Sequence, residues 1–225
     1  MAAPYSPVEA IAYGWRGFTR NLAPFLVLTA VALAIGLAFS LLSNVITTGS
    51  VLGIEEYDSS PDLGEMLARQ GVSLGLSFVS SVISWVIGVA MMRGALDVAD
   101  TGHTDLGAMF TRISWGAAVG AALLTTLAIW AGIIACVIPG LIIGFLLWFV
   151  LPAVVDGESA TGALGASFRF TTERLGDVLL FFLLSIAVLV AGVCACGVGL
   201  LVATPVLMIG MAYTWRVLQG RPVTP

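Results

Sequence analysis

Three carboxylates follow apolar stretches at positions where they could do chemistry. Asp97 ends one such stretch, and Asp156 and Glu158 end another. Carboxylates beside a membrane bind cations or relay protons, and gathered in one pocket they would suit a membrane-embedded hydrolase. Water reaches the ends of apolar segments, however, and Asp97 follows Arg93 by four residues, the spacing of a helical ion pair. We therefore favour structural roles for these carboxylates and keep a polar site as the alternative.

The cysteines suggest a second kind of chemistry. Cys136 lies toward the outer end of the predicted third span, and Cys194 and Cys196 lie toward the outer end of the predicted fifth span. A disulfide from Cys136 to Cys194 or Cys196 would form on an oxidising side of a membrane. The interpretation that we favour is that these small thiols pack between helices.

Other catalytic and cofactor chemistry lacks the residues to carry it. The chain has one histidine, His103, and no phosphate-binding loop, nucleophile elbow or metal-ligand spacing. A net charge of −4 gives no basic footprint for nucleic acid. We predict no enzymatic activity, no cofactor, no metal and no nucleic-acid partner.

A short motif recurs before three apolar stretches. It reads Phe18-Thr19-Arg20, Phe110-Thr111-Arg112 and Phe170-Thr171-Thr172. We interpret it as an anchor where a surface helix turns into a membrane span: Phe enters the acyl boundary, Thr binds a backbone carbonyl and Arg binds lipid phosphates. Ligand binding by the Arg residues is the alternative. The predicted lipid-contacting residues are Trp15, Phe18, Arg20, Phe110, Arg112, Phe168, Phe170 and Arg174.

The composition places these residues in an all-α membrane protein. Of the 225 residues, 59% are hydrophobic and 10% charged, whereas soluble domains carry about 25% charged residues. Four stretches lack charge: 21–54, 70–92, 113–155 and 178–215. The last two are each long enough for two spans of about 20 residues, with turns expected at Pro139-Gly140 and near 194–199. We predict six transmembrane helices.

The arginines predict the orientation of these helices. With six spans, every arginine except Arg69 falls on the side of the two termini. Because basic residues concentrate on the cytoplasmic side, both termini are predicted to be cytoplasmic and the acidic loop 47–70 external. All nine basic residues are arginine, which is typical of GC-rich genomes such as those of actinobacteria. The predicted location is a bacterial cell (inner) membrane, with membrane lipids and other membrane-protein subunits as partners.

The sequence repeats itself at a shift of 60 residues. Thr101-Gly102 then matches Thr161-Gly162, Phe110-Thr111 matches Phe170-Thr171, and Ala135-Cys136 matches Ala195-Cys196. Such self-similarity indicates duplicated units. We predict a single polytopic domain, 1–225, built from three helix-hairpin units at about 1–98, 99–158 and 159–225. All units enter from the same side, as in parallel repeats.

Each unit is predicted to begin with an amphipathic helix in the cytoplasmic interface. These helices are expected at about 6–20, 104–113 and 159–174. In the first, Ile11, Trp15, Phe18 and Leu22 recur at the spacing of one helical face. An apolar face of this kind lies in the boundary between headgroups and acyl chains.

Several segments resemble a known family. They are "AIAYGWRGFTRNLAPFL" near the N-terminus and "FVLPAVVDGESATGALGASFRFT", in which Pro152 to Gly157 form a Pro-x-x-x-(Asp/Glu)-Gly pattern. With six spans, the chain resembles the membrane domain that precedes the catalytic domain of some glycerophosphodiester phosphodiesterases. It also resembles that domain's stand-alone bacterial relatives, including proline- and glycine-rich actinobacterial membrane proteins. The resemblance implies the membrane fold and no catalytic residues, because the phosphodiesterase domain is absent.

Two functions remain in competition. The first is a non-catalytic membrane protein that acts as an accessory or scaffold subunit, or that modulates its lipid environment. The alternative is a small transporter or channel for a lipid or apolar solute. Transport would require a cavity lined by polar groups such as Ser80, Ser84, Thr125 or Thr204.

Overall fold

A computed structural model describes residues 5–48, 63–195 and 197–224 and shows only helices and their connections within those ranges. The helices are α1 (Pro7–Arg20), α2 (Leu22–Thr48), α3 (Leu63–Thr101), α4 (Leu106–Phe110), α5 (Trp115–Ala135), α6 (Val137–Leu146), α7 (Val150–Val155), α8 (Ala160–Glu173), α9 (Leu175–Cys194) and α10 (Leu200–Leu218).

Six helical segments in the described part of the chain are long and apolar enough to cross a membrane. They are Leu22–Ile46, Met66–Thr101, Trp115–Ile134, Val137–Val155, Leu175–Cys194 and Leu200–Leu218. This confirms the prediction of an all-helical, multi-pass membrane protein. The predicted external loop 47–70 lies mostly outside the described residues.

The turn between the third and fourth spans differs from the prediction. It is formed at Cys136, in extended conformation, and not at Pro139-Gly140. Pro139 instead lies in the first turn of α6, where a proline's missing N–H removes no helical hydrogen bond. The second turn was predicted correctly, since α9 ends at Cys194 and α10 begins at Leu200.

The fourth span is interrupted between α6 and α7. Ser167 of α8 is fully buried beside this break. Its hydroxyl donates a hydrogen bond to the Leu146 carbonyl (2.9 Å) and accepts one from the Phe149 N–H (3.1 Å). A break in a membrane helix is tolerated where neighbouring groups satisfy the freed backbone. One hydroxyl satisfies two of these groups.

The chain divides into two compact units. Unit 1 comprises residues up to Leu26 and from Val89 onward, and unit 2 comprises Val27–Gly88. In unit 1 the core is formed by one face of α1, the last third of α3, α7, one face of α8 and the second half of α10. In unit 2 the helices expose most of their apolar side chains, and a hydrogen bond joins the hydroxyls of Ser43 and Ser73.

Helices occupy all three positions predicted for surface helices. α1 and α8 match the expected bounds closely, whereas α4 is only five residues long. The threonines behave as predicted at two of the three motifs: Thr19 donates to the Trp15 and Arg16 carbonyls, and Thr111 donates to the Ala108 carbonyl. At the third motif Thr172 makes this bond, and the Thr171 hydroxyl is buried without a partner. Placement of these helices in the membrane interface stays a prediction.

The face of α1 that packs against the protein differs from the apolar face predicted to lie in the membrane interface. Its buried residues are Ala10, Tyr13, Gly14, Gly17 and Phe18. Of the predicted face, Phe18 alone is buried, while Trp15 and Leu22 are exposed. Small residues decide the packing because they allow the backbone of α1 to approach α10 closely. A Cβ on Gly14 would lie 2.2 Å from the Val206 carbonyl oxygen.

Candidate functional site

The charged centre of unit 1 is Arg216, which lies on α10 with only 2% of its side chain exposed. Its Nε and Nη2 donate to both carboxylate oxygens of Asp100 on α3, each at 2.8 Å. Its Nη1 donates to Asp156 Oδ1 at 2.6 Å, directly after α7. The planar guanidinium suits such forked binding of carboxylates. Arg216 therefore joins three helical elements through charge-assisted hydrogen bonds.

Asp156 receives two further donors. Trp215 Nε1 donates to its Oδ2 at 3.2 Å, and Arg221 Nη1 donates to the same oxygen at 2.6 Å. Both oxygens of this carboxylate are thus engaged. The cluster of Asp100, Asp156, Trp215, Arg216 and Arg221 is called the Arg216 cluster below.

The end of the chain closes over the Arg216 cluster. The Thr224 N–H donates to the Ala99 carbonyl and its hydroxyl donates to the Asp100 carbonyl, both at 2.9 Å. Tyr13 of α1 donates its hydroxyl to the Thr224 carbonyl at 2.8 Å. Burial raises the pKa of Tyr13 to about 12 and also raises that of Tyr5. Both phenols are therefore held in their neutral, donating form.

Aromatic side chains pack beside the Arg216 cluster. The burial of Phe170 among them, and of Phe18 on α1, differs from the prediction for these two residues. Phe170 lies 4.7 Å from both Phe149 and Trp215, centroid to centroid, and is 8% exposed. Phe18 is 3% exposed. The prediction that Phe170 and Phe18 contact lipid is wrong, because protein packing covers both side chains.

The remaining predicted lipid contacts lie at the surface. Trp15, Phe110 and Phe168 are each 42 to 54% exposed. The arginines Arg20, Arg112 and Arg174 are exposed as well. Their contact with lipid stays a prediction.

Asp97 belongs to a different group of charges. It accepts hydrogen bonds from Arg93 at 2.5 Å and Arg112 at 3.2 Å. The first is the helical ion pair that the spacing predicted. Arg112 has a φ of 55°, a left-handed conformation that is strained for a residue with a side chain. Asp97 therefore links α3 to the loop before α5 through its ion pair with Arg112.

The three candidate carboxylates do not share one pocket. A charged pocket of about 550 Å³ is lined by Asp156, Gly157, Glu158, Ala166, Arg169, Phe170, Glu173, Trp215, Gln219 and Arg221. It contains Asp156 and Glu158 but not Asp97. The convergence of all three, which a membrane-embedded hydrolase required, is contradicted, because Asp97 faces the Arg93 and Arg112 side of α3.

A larger cavity is almost wholly apolar. This apolar groove has a volume of about 710 Å³ and lies between α1, α9 and α10. Its lining residues are Val8, Ile11, Ala12, Trp15, Arg16, Leu184, Val188, Ala191, Gly192, Ala195, Gly199, Val202, Ala203 and Val206. The large apolar side chains of α1 that do not pack against α10 therefore border an open space.

Metal and thiol chemistry have little basis in this geometry. Across residues 5–48, 63–195 and 197–224 no group of three His, Cys, Asp or Glu side chains is placed to hold a metal ion. Cys136 and Cys194 are free and exposed, so the alternative of a disulfide between these two is contradicted. Cys196 lies outside the described residues.

Sequence reasoning missed the most buried charge among the described residues. Arg216 was counted only as an indicator of orientation, and Asp100 and Arg221 were not considered as its partners. One signal was present: Arg216 follows a long uncharged stretch within "MAYTWRVL". A charge flanked by apolar residues in a helix requires a partner when it is buried.

Comparisons with known proteins identify relatives but no activity. The chain is 28% identical to the uncharacterized protein Rv2560 of Mycobacterium tuberculosis, over 99% of this chain and 71% of that protein. The uncharacterized protein Mb2590 of Mycobacterium bovis matches to the same extent. No family model matches the chain, and no solved structure matches it.

Proposed function

We propose that the protein is a non-catalytic integral membrane protein that acts as an accessory or scaffold subunit and organises its lipid environment. The observation that carries this proposal is the use of its charges. Asp97, Asp100 and Asp156 are each bound to arginine. Two of the three carboxylates of the possible polar site, Asp97 and Asp156, thus join neighbouring structural elements.

This pairing argues against acid–base catalysis at Asp156. A general base must reach its substrate with a free lone pair, whereas Asp156 accepts hydrogen bonds from two arginines and a tryptophan. Asp156 is therefore suited to fastening α7 to α10.

The transporter alternative receives less support. Neither the apolar groove nor the charged pocket is lined by Ser80, Ser84, Thr125 or Thr204. Ser84 is exposed on α3. A solute pathway through the polar groups expected to form it has no counterpart in these two cavities.

We also propose that the molecule arose by internal duplication, with its termini and surface helices on the cytoplasmic side. Asp156 and Arg216 stand 60 residues apart and bind each other, so equivalent positions of two units meet. The hairpins of these units share a close glycine contact. A Cβ on Gly132 would lie 2.8 Å from Gly140, and one on Gly199 would lie 2.7 Å from Gly192.

The proposed kinship is with the membrane domain of glycerophosphodiester phosphodiesterases and its stand-alone relatives. The segment from Pro152 to Gly157, which carries the resemblance, supplies Asp156 to the Arg216 cluster. Gly157 has a φ of 113°, which favours glycine at that position. A structural role for this segment agrees with an accessory function.

Purification in a mild detergent, followed by native mass spectrometry, tests the proposed function. We expect the protein to co-purify with a specific membrane protein or with retained lipid. Recovery of a bare monomer, together with uptake of a solute by vesicles containing the purified protein, would reject the accessory role in favour of transport.

A further inference from the structure

The apolar groove owes its depth to small residues. Its lining includes Ala191 and Gly192 of α9, Ala195 directly after α9, Gly199 directly before α10 and Ala203 of α10. From Leu184 to Ala195 the lining follows α9 and its C-terminal cap for about 16 Å at the helical rise. The apolar groove is therefore elongated, and methyl groups and backbone atoms line this part of it.

The groove opens on a surface that the proposed placement exposes to acyl chains. The neighbouring side chain Leu180 of α9, four residues before the lining residue Leu184 and on the same face, is 57% exposed. Exposed apolar residues along a spanning helix face hydrocarbon. Hydrocarbon is thus the medium next to the opening.

The lining of the groove includes a positive charge. Arg16 is the one charged residue among the described residues that line it, and it stands beside Trp15 on α1. Its Nη2 binds Glu9, at the exposed surface of the helix. A guanidinium has five donors, so others remain for an anionic oxygen.

We infer that the apolar groove binds one acyl chain of an anionic phospholipid, with the phosphate at Arg16. An apolar groove with one cationic side chain in its lining matches an amphiphile with a hydrocarbon tail and an anionic head. Trp15 suits the boundary between tail and head because its ring is amphipathic. This inference rests on the proposed membrane function and assigns the ligand class to one site.

The test uses two matched tryptophan variants of α9. Val188 lines the groove, whereas Val190 is exposed and does not line it. Val188→Trp should fill the groove, and Val190→Trp should add the same side chain on the other side of the helix. Each protein is reconstituted in nanodiscs of phosphatidylglycerol and phosphatidylcholine and released into native mass spectrometry. We expect wild type and Val190→Trp to retain phosphatidylglycerol and Val188→Trp to lose it.

Two further variants separate tail binding from head binding. Ala12→Leu fills the groove from the opposite wall and should reproduce the loss if Val188→Trp fails to fold. Arg16→Gln should still retain lipid, with its preference for phosphatidylglycerol over phosphatidylcholine reduced about fivefold, since one interfacial arginine contributes about 1 kcal/mol. Helical content by circular dichroism and elution volume check the fold of each variant.

The outcomes distinguish this inference from the proposed function. Equal lipid retention by Val188→Trp, Ala12→Leu and wild type would overturn the groove as the site. A dimer seen for wild type and Val190→Trp but lost in Val188→Trp would overturn it too, by showing a second copy in the groove. Retention of a partner protein without lipid would reject the lipid site alone. Absence of both partner and lipid would reject the proposed function as well.

Discussion

At the scale of residues, the molecule depends on one arginine. Arg216 binds both Asp100 and Asp156 and is almost completely buried. A buried ion pair adds little stability over a hydrophobic pair, but removal of one partner leaves a charge without compensation. Substitution of Arg216 is therefore expected to lower the stability of the folded protein.

Arg216→Met should reduce the free energy of unfolding by about 3 kcal/mol, the lower end for a broken buried pair. The lower end applies because Asp100 is 37% exposed and can rehydrate. Unfolding of the protein in mixed detergent micelles would measure the change. The control is Arg221→Met: Arg221 is 49% exposed, and its loss should cost less than about 1 kcal/mol. Equal effects of the two substitutions would contradict a special role for Arg216.

At the scale of elements, α1 is attached to the rest of unit 1 by glycine and tyrosine. Gly14 and Gly17 allow close backbone contact with α10, and Tyr13 joins α1 to α3 and to the C-terminal segment. The large apolar side chains of α1 take no part in this contact. Loss of the contact should therefore release α1 without disturbing the spans.

Gly14→Ala should destabilise the docking of α1 by about 1–3 kcal/mol, the range for overpacking. The new methyl group would meet the Val206 carbonyl oxygen. Limited proteolysis within α1 and thermal unfolding would detect the change. Gly165→Ala is the control, because no atom lies within 4 Å of a Cβ there. It should be neutral or stabilising by about 0.5–1 kcal/mol, since alanine favours helix. Resistance of α1 to protease in Gly14→Ala would argue against close packing as its attachment.

High pH should weaken the same attachment. Burial raises the pKa of Tyr13 from 10.0 to about 12, so the folded state holds its proton where the unfolded state loses it. The stabilisation is complete below pH 10 and is lost as pH rises toward about 12. The unfolding free energy of wild type should fall across this window, and that of Tyr13→Phe should fall less steeply. Tyr5→Phe provides the comparison for Tyr5, the second tyrosine whose pKa is raised by burial. Identical pH slopes for wild type and Tyr13→Phe would show that Tyr13 is hydrated in solution.

At the scale of the whole molecule, the testable property is topology. Six candidate spans among the described residues predict that both termini lie on one side of the membrane, and the arginines predict that this side is cytoplasmic. The fastening of α1, the end of α3 and the C-terminal segment to one another requires the two termini to share a side. The number of candidate spans and the packing of the two termini therefore lead to the same prediction, that both termini lie on one side.

Single cysteines introduced into a variant without Cys136, Cys194 and Cys196 would test this topology. A membrane-impermeant maleimide applied to intact cells should label a cysteine at position 57, in the predicted external loop. It should not label cysteines at positions 3 or 222 until the membrane is opened. Labelling of one terminus alone in intact cells would contradict six spans. Labelling of both termini would show that they are external, which is the opposite of the predicted orientation.

The sequence alone determined the class of protein and its local order. The absence of charge over long stretches fixes where helices can cross hydrocarbon, because a buried charge there is costly. The number of spans, the second turn and the ion pair of Arg93 with Asp97 all followed from such local rules. The first turn, at Cys136, was misplaced because Pro139 is tolerated in the first turn of a helix as readily as in a loop.

Only the tertiary structure decided which residues meet. Asp100, Asp156 and Arg216 are far apart in the chain, and periodicity carries no information about such pairing. The buried face of α1 could not be read from its large apolar residues, because α10 selects small ones for close approach. The same choice leaves Val8, Ile11 and Trp15 beside the apolar groove. Packing between distant elements thus created both the Arg216 cluster and the proposed lipid site.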